Sequence, residues 1–151
     1  MKGNCLTCPF QSVLYEDEHL MQASPVISIL VVEDDDQLLA LIASVLEREH
    51  YAVYCAADGE SALRVFRSRQ QEISLVFTDL GLPQLTGLDL IRAIRLAKPD
   101  VRIIGVSAMG GKEIREVVKK AGATLFLPKP FHISEVVSSV KTVLAGSMDP
   151  G

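Results

Sequence analysis

Short apolar runs rich in β-branched residues alternate five times along the chain with longer stretches whose apolar positions recur at helical spacing. The runs are Ser28–Val32, Ala52–Ala56, Ser74–Thr78, Arg102–Val106 and Thr124–Leu127. Three of them are apolar almost throughout, as strands covered on both faces must be. The first helical stretch, Asp36–Arg48, places Leu38, Leu39, Ile42, Val45 and Leu46 on one stripe, and Ser61–Arg69 does the same with Ala62, Val65 and Phe66. Leu88–Leu96, Lys112–Ala121 and Ser134–Leu144 continue the pattern, the last through Val137, Val140, Val143 and Leu144. Gly122 stands where the fourth helix should stop. Strand and helix in alternation predict a parallel sheet with right-handed crossovers, a small doubly wound α/β domain over residues 26–146. Residues 1–25 are mixed in character and close on Ala23-Ser24-Pro25, which predicts an N-terminal arm or linker; residues 147–151 form a C-terminal tail.

Folds of this kind place their sites outside the carboxyl ends of the strands. The first predicted strand runs directly into four acids, Glu33-Asp34-Asp35-Asp36. The third ends at Asp79, the fourth at Ser107, and the fifth runs into Lys129. In a parallel sheet, Glu33, Asp34, Asp79, Ser107 and Lys129 therefore converge on one rim. Carboxylates this close repel and are awkward to desolvate unless a cation answers them. Clustered hard oxygen donors fit a divalent ion, with Mg²⁺ the expected cofactor. Asp35 and Asp36 fall where the first helix should begin, and capping of its free N–H groups is their expected role.

Composition narrows the function classes. With 151 residues and 48% hydrophobic content the chain can bury one compact core, and with 5% aromatics and no tryptophan that core must be built from Val, Ile, Leu and Ala. A net charge of -4 and the lack of a basic, aromatic patch lead us to expect no nucleic-acid partner. The longest unbroken apolar run, Ile29–Val32, is too short for a bilayer, and no signal peptide opens the chain. The expectation is a cytoplasmic protein with no membrane contact. Cys5 and Cys8 form a C-x-x-C with no strand before it and only His19 nearby as a further ligand, so free thiols on the arm are expected. His19, His50 and His132 show no ligand spacing, and Met109-Gly110-Gly111 reads as a mobile loop over the rim.

The strand ends also carry recognisable strings: V-V-E-D at Val31–Asp34, T-D-L-G-L-P-Q-L-T-G at Thr78–Gly87, V-S-A at Val106–Ala108 and K-P-F at Lys129–Phe131. In this order, each at the end of its own strand, they make the sequence resemble the receiver domain of two-component response regulators from about Val26 to Ala145. The resemblance implies a flavodoxin-like (βα)5 fold with strand order 2-1-3-4-5. It implies that Asp79 accepts a phosphoryl group from the phosphohistidine of a histidine kinase or phosphotransfer protein. Glu33, Asp34 and Asp79 would hold Mg²⁺, with the backbone carbonyl of Gly81 completing the protein ligands. Ser107 would hydrogen-bond the phosphoryl group and Lys129 would pair with it, its bond to Pro130 being cis in the family. Phe126 matches the switch aromatic that follows Ser107 and alters the face built from the fourth helix, fifth strand and fifth helix, which meets a downstream target or an attached domain.

Several positions depart from the family pattern. Glu33 replaces the commoner aspartate, Ser107 the commoner threonine, and Gly81 is small where many relatives carry a longer side chain, which implies fairly quick autodephosphorylation. Thr124-Leu125 precede Phe126 in place of an acidic pair, and the fifth helix offers Lys141 alone as a basic partner. A transcription-factor-type dimer is therefore not expected, nor, with the sequence ending at Gly151, is a DNA-binding domain. The competing classes are a small Mg²⁺-dependent phosphatase-like hydrolase and a receiver that binds partners without being phosphorylated. The first would need a general acid two residues after Asp79, where Gly81 stands. A flavin-binding relative would need a phosphate-cradling loop after the first strand, where the four acids stand.

Overall fold

The computed structural model describes residues 26–146, and the expected arm, tail, Cys5, Cys8 and His19 lie outside them. Five strands and five helices alternate: β1 Ser28–Val32, α1 Asp36–Arg48, β2 Ala52–Ala56, α2 Gly59–Ser68, β3 Ile73–Asp79, α3 Gly87–Ala97, β4 Arg102–Ser107, α4 Lys112–Ala121, β5 Leu125–Pro128 and α5 Ile133–Leu144. All strand pairs are parallel, in the order β2-β1-β3-β4-β5. The doubly wound fold and its strand order match the expectation.

The pleat of β1 explains the two-sided burial. Ile29 and Val31 point to one face, where they meet Leu39, Ile42 and Leu46 of α1 and Val136, Val140 and Val143 of α5. Leu30 and Val32 point to the other, toward Ala62 and Phe66 of α2, Leu90, Ile91 and Ile94 of α3, and Val118 of α4. Each fully buried side chain of this size contributes roughly 1.5–3 kcal/mol. Two such cores can carry a few unfavourably placed charges at one end of the sheet.

Capping fixes where the helices start. Asp35 accepts from the N–H groups of Gln37 and Leu38 at 3.0 and 3.1 Å, the role expected of the acids after β1. α2 begins two residues earlier than its hydrophobic stripe suggests, because Asp58 accepts from the Ser61 N–H at 2.7 Å. β5 begins one residue later than expected: the Thr124 hydroxyl accepts from the Ile103 N–H, and that residue serves as a side-chain tie into β4. α5 starts at Ile133, with the Glu135 carboxylate accepting from the His132 N–H at 2.8 Å. Gly122 ends α4 with φ +124, as expected of a glycine stop.

Candidate functional site: an acidic rim at the carboxyl ends of the strands

The parallel register brings the carboxyl ends of β1, β3, β4 and β5 together, and five of the sequence-predicted side chains meet there. Glu33 follows β1 and is 3% exposed, Asp79 closes β3 at 8%, and Ser107 closes β4 at 7%. Asp34 stands beside them and is exposed. One carboxylate oxygen from each of Glu33, Asp34 and Asp79 lies within 4.8 Å of the others. Hard oxygen donors at this spacing, all anionic, fit a divalent cation such as Mg²⁺.

Lys129 reaches into this group from the end of β5. Its Nζ lies 3.0 Å from Glu33 Oε1 and 3.5 Å from Asp79 Oδ2, across 96 residues of sequence for the Glu33 contact. Burial alone would lower the lysine pKa, but its bonds to Glu33 and the charges of Asp79 and Glu33 outweigh it and hold the ammonium form. Glu33 is pushed the other way from an ordinary ion-paired acid. Burial raises its pKa and the Asp79 charge adds to that, against the Asp35 N–H and Lys129, which lower it. Glu33 Oε2 also accepts from the Asp35 N–H at 3.1 Å, so both of its oxygens already meet donors. The rim therefore holds three carboxylates against one ammonium.

The surrounding loops are shaped by small residues. A Cβ on Gly87 would lie 2.4 Å from the Asp79 carbonyl oxygen and 2.5 Å from Leu80 Cα, so only glycine lets α3 start this close beneath Asp79. The sequence places Gly87 at the end of the T-D-L-G-L-P-Q-L-T-G string, which was its one signal. Gly81 is exposed, its N–H lies 3.4 Å from Asp79 Oδ1, and a Cβ there would meet nothing within 4 Å. Ser107 Oγ accepts from the Met109 N–H at 3.0 Å, which ties the exposed Met109-Gly110-Gly111 loop to the end of β4. The Lys129–Pro130 peptide is cis, and Phe131 packs edge-on against Phe77 with ring centroids 6.5 Å apart.

Phe126 is 4% exposed and lies in the core face shared with Val118 and Ile103. Arg115 of α4 stands over its ring, a contact that sequence reasoning missed because helical periodicity marks Arg115 only as polar. Lys141, the basic residue expected for the face of α4, β5 and α5, pairs instead with Glu49 of α1 at 2.9 Å.

The molecule is a doubly wound parallel α/β domain with buried acids and a lysine gathered at the carboxyl rim, where folds of this kind place their ligand sites. The chain belongs to the response regulator receiver domain family, whose model matches residues 29–141. It is 38% identical over 134 residues to the alkaline phosphatase synthesis transcriptional regulatory protein SphR of Synechococcus elongatus, covering 84% of this chain and 52% of SphR. It is 30% identical over 117 residues to the sensor kinase CckA of Brucella abortus, covering 78% of this chain and 12% of CckA. A solved two-component response regulator of the LuxR family from Aurantimonas superposes with a TM-score of 0.75 at 28% identity, over 82% of this chain and 88% of that one. The chain thus spans about half the length of SphR. SphR is named a transcriptional regulatory protein, so the expectation that nucleic acid plays no part gains no support from it. Among the described residues no helix is long and apolar enough to cross a membrane.

Proposed function

We propose that this receiver domain works by accepting a phosphoryl group on Asp79. The convergence of Glu33, Asp34, Asp79, Ser107 and Lys129 on one rim carries this reading, because capping or solvation explains each acid singly but not all five side chains together. Glu33, Asp34 and Asp79, with the backbone carbonyl of Gly81, would hold Mg²⁺. A bound Mg²⁺ supplies neutralising charge where carboxylate and phosphate would otherwise repel.

The chain's own residues do the remaining work, since phosphoryl transfer rests mainly on positioning and electrostatics. An Asp79 oxygen attacks the phosphorus of a donor phosphohistidine in line, the P–N bond breaks, and the imidazole leaves with its electron pair. Lys129 leaves its place between Glu33 and Asp79 to pair with the incoming phosphoryl oxygens. The Ser107 hydroxyl donates to another of those oxygens while still accepting from the Met109 N–H, and this pulls on the loop into α4. Open space around Gly81 lets water reach the acyl phosphate, which favours fairly quick hydrolysis back to Asp79. The donor is a histidine kinase or phosphotransfer protein, and the output is a downstream protein or an attached domain, met through α4, β5 and α5. Gly81 offers no general acid, which counts against a hydrolase acting on external substrates.

Incubation with acetyl phosphate, with and without Mg²⁺, followed by intact mass of wild type and Asp79→Asn, tests the reading. Metal-dependent addition of one phosphoryl group to wild type alone is expected. No addition to a folded, Mg²⁺-binding wild type would leave a receiver that signals by binding only.

A further inference from the structure

The first half of α4 rests on the domain through one apolar side chain, Ile114, which is half-buried against the core that holds Phe126 and Val118. Its N-cap, Gly111, has φ +108 and provides no side-chain cap, and residues 109–113 are exposed. The buried residues of the helix, Val118 and Ala121, both lie in its second half. Val118 rests directly on β4, where a Cβ on Gly105 would lie 2.8 Å from Val118 Cγ1. Phe126 is the partner of Gly105 across the β4–β5 ladder. One helical turn before Val118, the guanidinium carbon of Arg115 stands 5.4 Å from the centroid of the Phe126 ring. That is inside the roughly 6 Å range over which a cation is drawn to an aromatic face.

We propose that Arg115 is a positioning residue that fastens the first half of α4 to Phe126 and keeps the ring buried, so that helix and ring move as one unit. A cation this near a helix N-terminus opposes the macrodipole, and the Phe126 ring beneath Arg115 is one partner that offsets that cost. The inference deepens the receiver reading and rests on it for its consequence: the Met109 N–H bond to Ser107 carries a change at the rim into the loop before α4, and Arg115 carries it on to Phe126.

Amide hydrogen exchange by NMR on the intact chain, with no phosphoryl donor present, tests the contact in wild type, Arg115→Gln, Arg115→Lys, Phe126→Leu and the Arg115→Gln/Phe126→Leu double variant. Arg115→Gln should speed the opening of the Glu116 and Val117 amides about two- to fivefold, the worth of one partly exposed cation–π contact, with α5 unchanged. Arg115→Lys should recover part of the loss. Phe126→Leu should loosen the same amides, and the double variant should go no further than the larger single effect. Unchanged or slower exchange in Arg115→Gln, as relief of the dipole alone predicts, would overturn the proposal, and so would strictly additive effects in the double variant. A second arm adds beryllofluoride and Mg²⁺. In wild type the Phe126 ring and α4 amides should shift together, and in Arg115→Gln they should shift with different dependence on beryllofluoride. A wild type that ignores beryllofluoride would sink the phosphorylation reading while leaving the exchange result to stand or fall by itself.

Discussion

The two rims of the sheet both carry partly or fully buried charge, and they use it in opposite ways. At the amino-terminal rim three cations have their donors taken up by backbone carbonyls. Arg95 donates to Pro99 and Val101 at 2.6 Å each and twice to Gly122, at 2.6 and 3.1 Å. Lys98 donates to Gln70 and Ile73, and Arg102 to Val143. These side chains close the loops between α2 and β3, α3 and β4, and α4 and β5. At the carboxyl-terminal rim three carboxylates face one ammonium, so the cluster keeps an excess of negative charge. A buried charge answered by carbonyls holds the fold together, whereas a surplus of one sign at a crevice marks a place for a ligand.

The largest effect that would break this contrast is at Asp79. Asp79→Asn should abolish phosphoryl uptake altogether while the domain stays folded, as read by intact mass and circular dichroism. Arg95→Met should do the reverse. It orphans three carbonyls, so stability should fall by about 2–3 kcal/mol in urea unfolding, with metal-dependent phosphorylation of the folded fraction retained. Gly87→Ala should damage both properties, because the added methyl meets the Asp79 backbone. A loss of about 1–3 kcal/mol is expected together with weaker modification of Asp79 by acetyl phosphate.

Glu47, in the last turn of α1, gives the smallest effect. Its Oε2 is buried with no hydrogen-bond partner among the described residues, and burial pushes its pKa up. The folded state therefore binds this proton more tightly than the unfolded chain does. The penalty is absent at acid pH and appears as pH rises through the raised value. Glu47→Gln should stabilise the domain by up to about 1 kcal/mol at neutral pH, and the gain should disappear in melts run below the ordinary carboxylate range.

Much of the fold was legible in the chain because doubly wound sheets bury strands on both faces, so β1 reads as an unbroken apolar run. The site was legible for the same reason: in a parallel sheet each polar residue that ends a strand lands on the same rim. Asp35 and Gly122 were readable as caps from residue type alone. The tertiary ties were not. Arg95, Lys98 and Arg115 carry no signal in the hydrophobic pattern, and their partners include backbone carbonyls and a ring brought near by folding. The starts of α2 and β5 shifted because Asp58 and Thr124 make hydrogen bonds that no hydrophobic period records. Glu33 was readable as a rim acid, but its contact with Lys129 depends on β5 being placed beyond β4.

The central claim is that the carboxyl-terminal rim holds a divalent cation and receives a phosphoryl group on Asp79. The most direct measurement is a two-dimensional amide NMR titration of wild type and Asp79→Asn with Mg²⁺, followed by beryllofluoride. Mg²⁺ should shift residues 33–35 and 79–81 in wild type. Beryllofluoride should then shift Ser107, the 109–111 loop, α4 and Phe126 in wild type and leave Asp79→Asn unmoved. An Mg²⁺-bound wild type that shows no response to beryllofluoride, or an Asp79→Asn variant that responds equally, would contradict the account.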